Sequence, residues 1–308
     1  MRLAVPDLIS NSYFPAIAVC ELGFAEAQGL SLSHELIFPV TRTMEALRDG
    51  EIDFVAGSAH STLTAFPNWK GAKVVVALAQ GMYWMLVLRA DLDVQRGDVS
   101  AVKGLRIGAA PGVDLGLRGL LLEAGIDPER DNVEIGPVPG ATEQGVSFGV
   151  TAAKALEAGK LDGFWANGMG AEVAVRNGIG KVVLDVRRGD GPKAAWSYTF
   201  PALVTTDALI ERDPEAVASA VRAIVNTQRA LKDDPGLATT VGERLFPAQE
   251  AGLIAGLIER DLPFYDPAVS PEVFNAMNQF AAGIGLPAKQ CPYGQVVATQ
   301  FSDLWLNS

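Results

Sequence analysis

Four short stretches of this chain place small polar residues directly after apolar runs: Ser10-Asn11-Ser12-Tyr13, Gly57-Ser58-Ala59-His60, Pro111-Gly112-Val113-Asp114 and Trp165-Ala166-Asn167-Gly168. A strand that ends this way and turns into a helix presents free backbone N–H groups at its tip, beside the positive end of the helix dipole. Such a tip suits a carboxylate, a sulfonate or an amide without a dedicated arginine. Taken singly, each tip also reads as ordinary turn and N-cap chemistry; it is the repetition that favours a binding site. The candidate ligand contacts are Asp7, Ser10, Asn11, Ser58, His60, Gly112, Asp114 and Asn167. The rings of Tyr13, Tyr83, Trp165 and Trp196, at strand ends and connecting segments, offer stacking surfaces for a planar or apolar ligand body. Trp84 reads equally well as packing between segments.

His60 is the one imidazole near this set, because His34 falls in an alternating strand and reads as surface or edge. A neutral histidine can orient a ligand as donor and acceptor, or serve as a general base with Asp7 or Asp114 as partner; in an enzyme the catalytic pair would be His60 and Asp114. No Ser-His-Asp spacing, metal-ligand cluster, phosphate loop or dinucleotide fingerprint accompanies it. Ligand orientation therefore outranks catalysis, and no cofactor or metal is expected.

The elements that must hold these tips alternate in type. "RLAV", a helix from about Tyr13 to Gln28, "LSLSHELIF", the helix "RTMEALRDG", "DFVA" and "KVVVALAQ" make a first set, with Gly29 and Gly50 where left-handed helix caps are wanted. A second set of about 115 residues runs from "VKGLRIGAA" through a helix with Leu117, Leu120, Leu121 and Ala124 on its apolar stripe, "NVEIGPV", the helix "AAKALEAGKLDG", "FWANGMG" and "KVVLDV". Alternation with short links implies parallel strands and crossover helices, hence α/β architecture. From "FPALVTTDALIERDPEAV" onward the pattern is helical: Asp213 and Pro214 mark a start, Val217, Val221, Ile224, Val225 and Leu231 form a buried stripe, and the last helices are expected to cover the first set.

At 308 residues with 49% apolar and 20% charged side chains, the chain suits two cores. A net charge of −11 argues against nucleic acid or an anionic membrane surface as partner. Cys20 and Cys291 lie far apart; Cys20 shares a helical spacing with Ile17 and Phe24 and reads as a buried core thiol. No run approaches the ~18 apolar residues that span a bilayer, so no membrane insertion is expected. "MRLAVPD" reads as a strand, which leaves two readings of location: cytoplasmic if Met1 is the native start, periplasmic or extracytoplasmic if an export signal was removed.

The segments "NSYFPAIAVCELGFAEAQGLSL", "EALRDGEIDFVAGSAHSTL", "VKGLRIGAAPG" and "ALEAGKLDGFWA", in this order over about residues 10 to 200, resemble a known group. It comprises the ABC-transporter substrate-binding proteins for alkanesulfonates, nitrate and taurine together with the NMT1/THI5-like thiamine-pyrimidine-precursor proteins. The resemblance implies a two-lobed, periplasmic-binding-protein type II-like α/β fold with C-terminal helices and two hinge strands, near Tyr83 to Arg89 and Pro201 to Thr206. Lobe one would comprise 1–85 and 204–308, lobe two 86–203. The implied function is capture of a small organic ligand, anionic or aromatic, in the cleft between lobes for ABC-type uptake, with a transporter permease as partner. The alternative on the same fold is a cytoplasmic enzyme (a decarboxylase, hydrolase or cofactor-precursor enzyme) or a ligand sensor. The cysteine-rich iron-binding segment of the thiamine-pyrimidine synthases has no counterpart in this sequence.

Overall fold

Ten strands organise the chain: β1 (Arg2–Val5), β2 (Ser33–Leu36), β3 (Phe54–Ser58), β4 (Ala72–Ala77), β5 (Met85–Arg89), β6 (Arg106–Ala109), β7 (Glu134–Gly136), β8 (Gly163–Ala166), β9 (Gly180–Asp185) and β10 (Pro201–Thr206). The structure, a computed structural model, describes residues 1–141, 147–289 and 291–306. The strands form two separate sheets, ordered β2-β1-β3-β10-β4 and β7-β6-β8-β5-β9. Neighbours β2, β1 and β3 run parallel, as do β7, β6 and β8, which is what helical crossovers of this length produce.

One strand of each sheet runs against the rest. β10 lies antiparallel between β3 and β4, and β5 lies antiparallel between β8 and β9. Both arrive from the other sheet: the chain crosses between β4 and β5, and returns between β9 and β10. The two hinge segments expected from the sequence largely coincide with β5 and β10, the strands into which the crossings run, so the crossings themselves occupy 78–84 and 186–200.

Strands β3, β4 and β5 are buried on both faces along most of their length, which is why they read as near-continuous apolar runs. Helix Pro214–Asp233 starts at Asp213, whose carboxylate accepts from Ala216 N–H, and buries Val217, Val221, Ile224, Val225 and Leu231. It packs on the first two helices and β4 of the first sheet, as expected. Helix Ala248–Asp261 departs from that expectation by packing also on helix Gly168–Arg176 of the second lobe, with Arg260 Nη1 3.6 Å from Glu172. The helix expected over Tyr13 to Gln28 is two helices, Phe14–Glu21 and Phe24–Ala27, broken at Gly23 where φ is +74°. Cys20 is half-buried rather than enclosed, with its thiol pushed up to about 12 by burial, and Ala124 is exposed at its helix end.

Candidate functional site

The strand tips of the two sheets meet. Asp7, just beyond β1, accepts from Asn167 Nδ2 at 2.9 Å and Ser147 Oγ at 3.2 Å across the lobes, and from its own loop through Ile9 N–H at 3.1 Å. Asn11 reaches over to accept from Met169 N–H at 3.1 Å. The approach is close: a Cβ on Gly168 would stand 3.0 Å from Asn11 Nδ2. On the opposite side of the junction, His60 Nε2–H donates to the Gly112 carbonyl at 3.1 Å. Gly112 holds φ of +85°, a conformation open chiefly to glycine. Thus the first tip faces the fourth and the second faces the third, all beyond the carboxyl ends of parallel strands.

Between these bridges lies a cavity of about 30 Å³, room for a water or two. Pro6, Asp7, Ser12, Tyr13, Phe38 and Val40 line it from the first lobe. Ala110, Val113, Phe148, Ala166 and Asn167 line it from the second, and Trp84 from the first crossing. Phe38 and Phe148 face each other nearly parallel, centroids 6.0 Å apart at 17°. The walls are therefore aromatic and aliphatic with four polar residues, the composition of a small-molecule site. A drug-sized solute needs several hundred Å³, so the lobes must part to admit one.

Six of the tip amides are occupied. Ile9 N–H goes to Asp7, Ser12 N–H to Ser10 Oγ, Ala59 N–H to Phe200 O, and Gly112 N–H to the Asp114 carboxylate. Met169 N–H goes to Asn11, and Gly170 N–H to the capping oxygen of Asn167. The amide edges expected at the tips are thus partly taken, mostly by short polar side chains beside them.

Of the residues singled out in the sequence, Asp7, Tyr13 and Asn167 line the cavity. Tyr83 supports it from behind, its hydroxyl 2.9 Å from that of Tyr13. Trp165 stands behind Trp84, ring centroids 6.1 Å apart, with its indole N–H buried and unpartnered among the described residues. Ser10, Asn11 and Gly112 shape the tips, and Ser58 is paired with Ser61 Oγ at 2.6 Å. Trp196 is elsewhere: its ring packs over Gly81 at the first crossing and lines a groove with Val186 and Pro192. Sequence reading passed over Phe38 and Phe148, placed Ser12 in a tip without naming it a contact, and left Trp84 even between site and packing. Phe38 follows β2, so the strand-tip rule could have found it, whereas Phe148 opens a helix well after β7.

Burial sets the protonation states. Asp7 is pushed up to about 7 by desolvation, with its donors Ser147, Gly149, Asn167 and Ile9 pulling the other way. His60, fully enclosed, is held down to about 4 by desolvation. Its Nδ1 is buried without a partner, and its ring meets Trp84 and Phe280 edge-on at 6.0 and 5.7 Å. Asp114, the other half of the catalytic pair weighed above, binds Gly112 N–H and Arg118 rather than the imidazole. Among the described residues no group of acidic, histidine and cysteine side chains has the makings of a metal site, and no helix is long and apolar enough to cross a membrane.

A buried ionic cluster stands over the second crossing. Asp261 takes Arg187 at 3.4 Å, Arg188 at 2.8 Å and Asn11 Nδ2 at 2.7 Å, while the Arg187 guanidinium also lies 5.6 Å from the Tyr83 ring centroid. Both crossings and the first tip are thereby fastened to one carboxylate.

Comparison with solved structures places this architecture. A protein from Bordetella bronchiseptica RB50 superposes with a TM-score of 0.77 at 16% identity, covering 98% of this chain and 95% of the other. The alkanesulfonate-binding protein SsuA from Xanthomonas axonopodis pv. citri, bound to MOPS, gives 0.71 at 15% identity, covering 98% and 96%. The desulfurization enzyme DSZB gives 0.68 at 16%, covering 99% of each chain. The likeness is one of fold, the two-lobed periplasmic-binding-protein type II-like fold expected above. Among curated proteins, none matches this chain. The sequence profile of the NMT1-like family matches residues 9–245 of the 308, and the chain belongs to that family.

Proposed function

We infer that this protein is a solute-binding protein: it closes two lobes on a small organic molecule outside the cytoplasm and presents it to the permease of an ABC-type importer. The observation that carries this reading is the meeting of strand tips from both sheets around one aromatic-walled cavity, bridged by Asp7 with Asn167 and by His60 with Gly112. Residues 1–85 with 204–308 would move as one lobe and 86–203 as the other, hinged at the two crossings. Closure expels water and strengthens each hydrogen bond inside, and the closed shape is what a permease can recognise.

The enzyme reading has less support. His60 spends Nε2 on the opposite lobe, stays neutral, and does not line the cavity. The test is a thermal-shift screen of small organic solutes on wild type and Trp84→Ala. A solute at about 100 times its dissociation constant adds roughly 2.7 kcal/mol, and the gain should vanish in the variant. Turnover of the bound solute, or stabilisation untouched by the variant, would contradict the reading.

A further inference from the structure

Deepening the solute-binding reading, on which this inference rests, we propose that Asp7 sets the charge class of the ligand: the cleft takes a flat, apolar-bodied solute bearing a neutral or cationic N–H donor, and excludes sulfonates, nitrate and carboxylates.

Asp7 is the one charged side chain on the cavity wall among the described residues, and it is acidic. The five residues 142–146 contain no Lys, Arg or His either. Of the cations near the junction, Arg187 and Arg188 pair with Asp261 and Arg118 with Asp114, while Arg260, whose Nε and Nη2 are buried without a partner among the described residues, is not on the cavity wall. Five of the tip amides are taken by Asn11, Asn167, Asp114, Asp7 and Ser10. An incoming anion would find an acidic neighbour on the cavity wall, which is an electrostatic mismatch.

Each side-chain partner that Asp7 now has is a donor, and Ser147 and Asn167 belong to the opposite lobe. When the lobes part, those acceptor positions face the cleft, and a ligand N–H satisfies the same geometry. Ser12 Oγ lines the cavity buried and without a partner among the described residues, ready to give or take one further hydrogen bond. The nearly parallel rings of Phe38 and Phe148 come one from each lobe, so separation leaves an aromatic face on either side of the space, with Trp84 closing its end.

Benzamidinium, benzamide, benzoate and benzenesulfonate offer one ring with four head groups. Calorimetric titration of each at about pH 8 into the wild-type protein should give benzamidinium and benzamide at least about tenfold tighter than the two anions. In Asp7→Asn, with its circular dichroism checked against wild type, that gap should close from both ends; the wild-type series decides alone where the variant does not fold. Benzenesulfonate binding as tightly as benzamidinium, and lost in Trp84→Ala, would overturn the charge assignment while leaving the solute-binding reading standing. No binding by any of the four would overturn the proposal as well, and the broad solute screen then decides the solute-binding reading separately.

Discussion

Asn167 Nδ2 stands 2.9 Å from Asp7 Oδ2, a hydrogen bond between the tips of β8 and β1 that spans the two lobes at the edge of the cavity. It ties the burial of one carboxyl group to closure of the whole molecule, and its energetics are pH-dependent.

Asp7 moves from 3.8 to about 7 in the folded protein, mainly through desolvation. A raised carboxyl contributes stability that is full below the unfolded value and is lost as pH rises through the folded one. His60 works in the other direction: held down to about 4, it contributes above its ordinary 6.5 and loses that as pH falls. The unfolding free energy of Asp7→Asn minus that of wild type, read from denaturant melts, should therefore rise between about pH 5 and pH 8, with a span of order a few kcal/mol. Parallel curves would show that Asp7 is not enclosed as described.

His60 joins the two lobes. Replacing it by alanine removes the bond to Gly112 O and the edge contacts with Trp84 and Phe280. The expected cost is about 1–3 kcal/mol of stability together with weaker solute binding. A variant with unchanged affinity for a solute known to bind in the cleft would contradict this role.

Gly168 tests closure itself. A Cβ there meets Asn11 Nδ2 at 3.0 Å and Oδ1 at 3.1 Å, and Asn11 cannot step aside because Asp261 and Met169 N–H hold both ends of its amide. Gly168→Ala should keep each lobe folded yet lower solute affinity about tenfold by holding the tips apart. Calorimetry reads the affinity; wild-type binding would mean that the tips need not touch.

Asp261 is the shared anchor of Arg187, Arg188 and Asn11, with side-chain exposures of 2% for the aspartate and 3% for Arg187. Removing one partner of such a buried pair leaves uncompensated charge, at about 3–5 kcal/mol. Asp261→Ala should lower the melting temperature by roughly 5–10 °C. A drop of under about 2 °C, close to what a surface change gives, would show that the cluster is not a structural anchor.

Much of this was legible beforehand because it is local. Strand-to-tip transitions after "RLAV", "DFVAGS" and "FWA" mark the carboxyl ends of β1, β3 and β8, and Asp213-Pro214 marks its helix start. What the tips do with their donors was not legible. Whether Asn11 spends its oxygen on a ligand or on Met169 depends on a residue 158 positions away. Trp196 misled for a related reason: a ring in a connecting segment reads the same whether it faces the cleft or, as here, packs on Gly81. Phe38 and Phe148 became a pair only once the two lobes came together.

The central claim is that a solute is held between Asp7, Ser12 and Trp84. A crystal structure of the protein with the solute that stabilises it most is the direct measurement. The account predicts ligand density between the lobes, touching Asp7 from the first, Phe148 from the second and Trp84 at the crossing. Density instead in the groove beside Tyr198 and Phe280, with a volume of about 470 Å³, and the lobes still bridged by Asp7 and Asn167, would contradict it.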